Sequence, residues 1–86
     1  MNPHFNSFMP GISLLSELKK GQEAVIDSFT DYDLSLKLLE MGCIPGEVIH
    51  VTRIAPLGDP MAIWVSGYQL SLRKDEAATI RVRLIV

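Results

Sequence analysis

Arg53–Pro60 has the sequence RIAPLGDP and lies between two β-branched, apolar segments. Pro56 and Pro60 fix their φ angles and remove two backbone donors, whereas Gly58 can adopt a positive φ. The carboxylate of Asp59 can accept hydrogen bonds from the turn backbone. Because Asn-Gly or Asp-Gly would suffice for a tight hairpin, this loop is predicted to hold one defined shape, for packing or for a partner.

Short segments with strand character flank this loop on both sides. The sequence predicts five strands, at Glu23–Phe29, Glu47–Ile54, Met61–Ser66, Tyr68–Arg73 and Ile80–Leu84. Alternation is clearest in the last one, which places Ile80, Val82 and Leu84 inward and both arginines outward. Single helical turns are expected within Ile12–Leu18 and Lys74–Thr79.

One longer helix is predicted between the first two strands. Thr30 is the expected N-cap, with Asp33 at capping-box spacing. The helix is expected to bury a stripe that includes Leu38, to continue to about Met41, and to end at Gly42 in a left-handed conformation. The fold class is therefore mainly β, a small five-stranded SH3-like barrel with one helix between the first two strands. A sheet with one face covered by the helix uses the same segments.

Length and composition set further bounds. The 86 residues suffice for one domain with a modest core, and we expect a loose arm over residues 1–12 and the folded domain over 13–86. A net charge of −2 argues against nucleic acid as the main partner. The longest apolar run, Met61–Val65, is too short to span a bilayer, and no signal-peptide pattern opens the chain. The single cysteine is compatible with a reducing cytoplasm.

The sequence shows no constellation of catalytic or metal-binding residues. The two histidines are His4, in the predicted arm, and His50, which is predicted to lie on an outer or half-buried strand position. Cys43 follows the helix end and is expected to be a buried small hydrophobe. No phosphate-binding glycine motif and no C-x₂-C or H-x₃-H pair is present. We therefore expect the protein to have no enzymatic activity and no cofactor. At most, it should bind a transition metal adventitiously or weakly.

Aromatic side chains suggest a surface for interaction. Trp64 is predicted to point outward from its strand, near Tyr68. Exposed apolar clusters tend to mark interaction sites, such as a groove for a peptide or a domain surface. The alternative is that both rings pack beneath the N-terminal arm or the helix.

Three motifs, in this order along the chain, resemble the motifs of one protein family. LLEMGCIPG at Leu38–Gly46 resembles its helix end, APLGDP at Ala55–Pro60 its central loop, and GYQLSLR at Gly67–Arg73 its last signature. The resemblance, over about Leu14–Val82, is to FeoA, the small ferrous iron transport protein A of bacteria.

That resemblance implies an SH3-like barrel and a role in ferrous iron uptake. It implies a cytoplasmic, non-enzymatic adaptor or regulator that binds the cytosolic G-protein region of the FeoB iron permease, and so meets the membrane only indirectly. By the match to its loop motif, the expected recognition residues are Leu57, Gly58, Asp59 and Pro60, to which the exposed Trp64 is added. The same loop could instead serve only to close the barrel.

Two other functions are compatible with the sequence. The chain could be a stand-alone SH3-like module, similar to the one attached to iron-dependent repressors, that regulates such a repressor, or it could sense a transition metal directly. A homo-oligomer is also left open by the sequence.

Overall fold

Six antiparallel strands make up most of the structure, a computed structural model that describes residues 11–86. The elements are β1 (Ser13–Leu14), a 3₁₀ turn (Leu15–Glu17), β2 (Glu23–Phe29), α1 (Tyr32–Glu40), β3 (Val48–Ile54), β4 (Met61–Val65), β5 (Tyr68–Leu72), α2 (Lys74–Ala77) and β6 (Ile80–Ile85). The predicted strands therefore agree with the observed ones to within one residue at each end. The arm predicted for residues 1–12 falls almost wholly outside the described residues, as does His4.

The predicted count of five strands is wrong, because a short sixth strand precedes the others. Ser13 and Leu14 pair with Val82 and Arg81 of β6. This pairing holds the chain extended where a helical turn was expected, so only the 3₁₀ turn forms. The predicted helix consequently lies between the second and third strands.

The hydrogen-bonded ladder does not close into a complete barrel within residues 11–86. The strand order is β1-β6-β2-β3-β4-β5, which leaves β1 and β5 as the two edges. Because β1 has only two residues, it offers few backbone groups for pairing on its outer side. The predicted closure of the sheet into a barrel is thus incomplete over these residues.

The core lies on one face of the sheet and follows the predicted alternation. Ile49 and Val51 of β3, like Ile63 and Val65 of β4, are fully buried. The core cluster contains Leu15, Leu18, Ala24, Ile26, Leu38, Cys43, Ile49, Val51, Met61, Ile63, Val65, Leu72, Ala77, Ile80 and Val82. These side chains remove enough apolar surface from water to fix the sheet against α1 and the 3₁₀ turn.

Helix α1 begins one residue later than predicted. Asp31, not Thr30, is the N-cap, and its Oδ1 accepts a hydrogen bond of 2.9 Å from the Leu34 amide. Thr30 is engaged elsewhere, since its amide donates to the Thr79 carbonyl at 2.8 Å. A carboxylate at the N-cap also interacts favourably with the positive end of the helix dipole.

Gly42 ends α1 with a φ of +102°, as predicted for this position. We expect Gly42→Ala to lower the free energy of unfolding by about 1–2 kcal/mol, because a Cβ disfavours positive φ. Gly42→Asn should cost less, since asparagine tolerates left-handed backbone better. Urea unfolding of both variants checks this, and equal losses would contradict the conformational explanation.

Candidate partner-binding surface

The β3–β4 loop forms a closed turn with an apolar tip. The Gly58 amide donates to the Ala55 carbonyl at 2.7 Å, and the Ala55 amide donates to the Pro60 carbonyl at 3.0 Å. Gly58 has a φ of +84°, so it supplies the backbone conformation that its position requires. Leu57, at the tip, is 93% exposed. The loop thus presents an aliphatic side chain to solvent on a hydrogen-bonded frame.

Asp59 fixes this loop to α2. Its Oδ1 accepts a hydrogen bond of 3.1 Å from the Lys74 amide, the first residue of that helix. The amides of a first helical turn have no partner within the helix, and a carboxylate is a suitable acceptor for them. Asp59 therefore provides a hydrogen-bond acceptor for an amide at the start of α2 and holds the loop beside that helix.

A cleft of about 510 Å³ lies between this loop, α1 and α2. It is lined by Lys37, Met41, Asp59, Pro60, Ser71, Arg73 and Glu76. The lining contains two cationic and two anionic side chains, with one methionine and one proline between them. This mixture is suited to a polar peptide segment with an apolar anchor.

Glu76 organises the floor of this cleft. Its Oε2 accepts a hydrogen bond of 2.7 Å from Lys37 Nζ, and its Oε1 accepts one of 2.9 Å from the Arg73 amide. Glu76 itself is buried. The hydrogen bond from Lys37 and then that from Arg73 lower the pKa of its carboxyl below the ordinary value of 4.5. The ion pair between Lys37 and Glu76 joins α1 to α2.

We expect Glu76→Gln to lower the free energy of unfolding by about 1–2 kcal/mol at neutral pH, because it removes the ionised acceptor. A carboxyl whose pKa is lowered by folding stabilises the protein above its unfolded-state pKa. That stabilisation is lost as the pH falls below 4.5 and through the folded-state value. Urea unfolding over this acidic range should show a shallower pH dependence for Glu76→Gln than for the wild type. Glu40→Gln, on the exposed side of α1, is the control; an unchanged slope in Glu76→Gln would contradict this role.

Trp64 lies on a different part of the surface from the loop. It is four residues from Pro60 along β4, which corresponds to about 13 Å. The ring is half-exposed on the outer face of the sheet, in a cross-strand row with Glu23, His50 and Gln69. The four predicted loop residues thus lie together in the structure, and Trp64 lies apart from them. A role of these five residues in binding stays a prediction.

The two candidate metal ligands of the described chain are in unlike surroundings. Cys43 is fully buried, and burial, followed by the Glu76 carboxylate, raises the pKa of its thiol to about 11. His50 Nδ1 lies 3.2 Å from Glu23 Oε2 on the sheet surface. Over residues 11–86, no three His, Cys, Asp or Glu side chains come together as a potential metal site. Burial of Cys43 is confirmed; direct metal sensing stays a prediction.

Sequence reasoning missed the contacts that build the cleft. Lys37 and Glu76 are separated by 39 positions, and Asp59 and Lys74 by 15. Neither pair carries a local signal, although Lys37 is the one base of α1 and Asp75 and Glu76 open the predicted helical turn. Pairings of this kind depend on how α1, α2 and the β3–β4 loop pack together, which periodicity does not encode.

The fold and the cleft define a small antiparallel β module with an exposed, hydrogen-bonded β3–β4 loop. No helix in the part of the chain described is long and apolar enough to cross a bilayer. A family model, the FeoA domain, matches residues 14–84. The chain belongs to the FeoA family, which confirms the resemblance carried by the three sequence motifs.

A relative in Porphyromonas gingivalis (strain ATCC BAA-308 / W83) is an Fe(2+) transport protein A/Fe(2+) transporter FeoB fusion protein. It is 43% identical over 72 residues, which are 83% of this chain and 8% of that protein. This chain therefore spans less than a tenth of the fusion protein's length. In that relative, the FeoA-like part and the transporter are one polypeptide.

Solved structures of FeoA proteins share the fold. The FeoA-like protein from Clostridium acetobutylicum is 32% identical, with a TM-score of 0.84 over 91% of this chain and 92% of that one. FeoA of Stenotrophomonas maltophilia, solved with zinc and described as a prokaryotic SH3 domain protein, is 29% identical. Its TM-score is 0.72 over 81% of this chain and 88% of that one. The mainly β class is confirmed, and its SH3-like character agrees with that description.

Proposed function

We propose that this chain is a non-enzymatic accessory protein of ferrous iron uptake, which acts in the cytoplasm by binding the cytosolic G-protein region of a FeoB-type permease. The observation that carries this proposal is the Porphyromonas gingivalis fusion protein, in which a domain 43% identical to this chain is joined to FeoB. Domains that are fused in one protein commonly act on each other as separate chains in another.

The loop suits this role because little of it has to be ordered on binding. Its turn is closed by two backbone hydrogen bonds, and Asp59 ties it to α2. A preorganised loop loses less conformational entropy in a complex than a free one. Leu57 at the tip then serves as the apolar anchor, with the charged cleft beside it for polar contacts.

Regulation requires that binding distinguish the nucleotide states of the G domain. A ligand with equal affinity for two states shifts neither population. At saturation, a difference of about tenfold in affinity shifts the ratio of the two populations about tenfold. We expect this chain to favour one state of that domain. It then changes the fraction of the permease that is in that state.

Isothermal titration of the permease's cytosolic region with this chain tests the proposal. The region is prepared without nucleotide, with GDP and with a non-hydrolysable GTP analogue. We expect binding in at least one state and a difference between states. Absence of binding in all three would sink the proposal, and equal affinities would refute the regulatory part of it.

A further inference from the structure

Helix α1 carries a second apolar stripe on its outer side. Tyr32, Leu36 and Leu39 follow the i, i+4, i+7 spacing and therefore share one face, within about 60° of arc. Their exposed fractions are 77%, 47% and 37%. The stripe that packs on the core, with Leu38 at its centre, lies on a different side of the same helix.

The outer stripe is bordered by acidic side chains. Asp33 and Glu40 are exposed and follow one edge of the stripe, and Asp31 stands at the N-terminal end of the helix. Lys37, the one base of α1, is held by Glu76 at 2.7 Å. The unpaired charges that α1 itself contributes along this edge are therefore negative.

We propose that Tyr32, Leu36 and Leu39 form a docking site for an amphipathic helix of a partner protein, one that carries basic residues beside its apolar stripe. Contiguous exposed apolar side chains with a polar border mark interaction sites. A ridge at this spacing packs against the grooves of another helix. Lysines or arginines of the partner would then lie opposite Asp33 and Glu40.

A second copy of this chain fits the stripe less well. Antiparallel two-fold pairing of α1 with itself would place the acidic edges of both copies on the same side of the contact, close to each other. Like charges in such positions oppose association. Charge complementarity therefore favours a basic helix over self-association.

Two designed peptides of about 18 residues, long enough to form helix on binding, test this site. They share one leucine stripe and differ only in having lysine or glutamate beside it. Each is titrated into the isotopically labelled full chain, with amide chemical shifts as the readout. We expect the lysine peptide to bind at least about tenfold more tightly, with shifts centred on residues 32–40. Leu36→Gln should weaken it by about tenfold.

Charge variants separate the docking site from general attraction to an acidic protein. Glu40→Lys should weaken binding of the lysine peptide severalfold and raise affinity for the glutamate peptide. Glu23→Lys makes the same charge change on the exposed part of β2 and should have less effect on both peptides. Equal effects of the two variants would overturn the proposal.

Three further results would also overturn it. These are chemical-shift changes centred outside α1, a concentration-dependent dimer that Leu36→Gln abolishes, or nuclear Overhauser contacts from residues 1–10 to Leu36 in the free protein. The last two would assign the stripe to a second copy or to the chain's own first residues. Because the permease is absent from these experiments, their outcome is independent of the proposed function.

Discussion

Leu57→Ala is expected to weaken binding to the cytosolic region of the permease by at least about tenfold while leaving the fold intact. Leu57 is 93% exposed at the tip of the β3–β4 loop, so its truncation removes almost no contact within the protein. Stability should therefore change by less than about 0.5 kcal/mol. Isothermal titration gives the affinity, and urea unfolding gives the stability.

Ile44→Ala is the matched control for this prediction. Ile44 is also aliphatic and exposed, but it precedes β3 and so lies at the opposite end of that strand from the loop. Its truncation should leave the affinity within about twofold of the wild type. If Leu57→Ala binds as tightly as Ile44→Ala, the loop tip is a structural turn and not a contact.

The largest expected effect on stability comes from Leu38→Ala. Leu38 is fully buried between α1 and the sheet, in the core cluster. Removing its side chain loses apolar burial and leaves a cavity, so the free energy of unfolding should fall by about 2–5 kcal/mol. Urea unfolding monitored by circular dichroism measures this loss.

Leu36→Ala makes the same chemical change two positions away on the same helix. Leu36 is 47% exposed, so its truncation should cost less than about 1 kcal/mol. Helix propensity changes equally in the two variants, because both replace leucine by alanine. Similar losses of stability would show that α1 does not pack on the sheet through the face that contains Leu38.

Much of the fold follows from local patterns in the sequence. The alternation at Ile80–Leu84 correctly gives Ile80 and Val82 as buried, and Gly42 correctly marks the end of α1. The N-cap is the instructive error, because Thr30 and Asp31 are both suitable capping residues. The structure decides between them through a backbone contact from Thr30 to Thr79, which lies far away in the sequence.

Strand β1 was missed for a related reason. Two residues are too few to show a period, and Ser13 and Leu14 are extended only because β6 offers backbone partners. A helical turn was expected within Ile12–Leu18, yet only the 3₁₀ turn Leu15–Glu17 forms. Tertiary pairing here overrides local propensity.

The sequence predicted the loop of the candidate surface but gave no indication of the cleft beside it. Prolines, glycine and aspartate within Ala55–Pro60 have local consequences for the backbone, so a fixed and exposed loop could be foreseen. The links from Asp59 to Lys74 and from Lys37 to Glu76 join separate elements. They arise from packing, for which a single sequence gives no direct signal.

Amide chemical shifts of the isotopically labelled chain, recorded while the permease's cytosolic region is added, show whether the β3–β4 loop lies in the interface. We expect the largest changes at Leu57, Gly58 and Asp59, with smaller ones at Lys74, whose amide is bonded to Asp59. Binding without any change at these four amides would contradict this expectation, because the loop would then lie outside the interface.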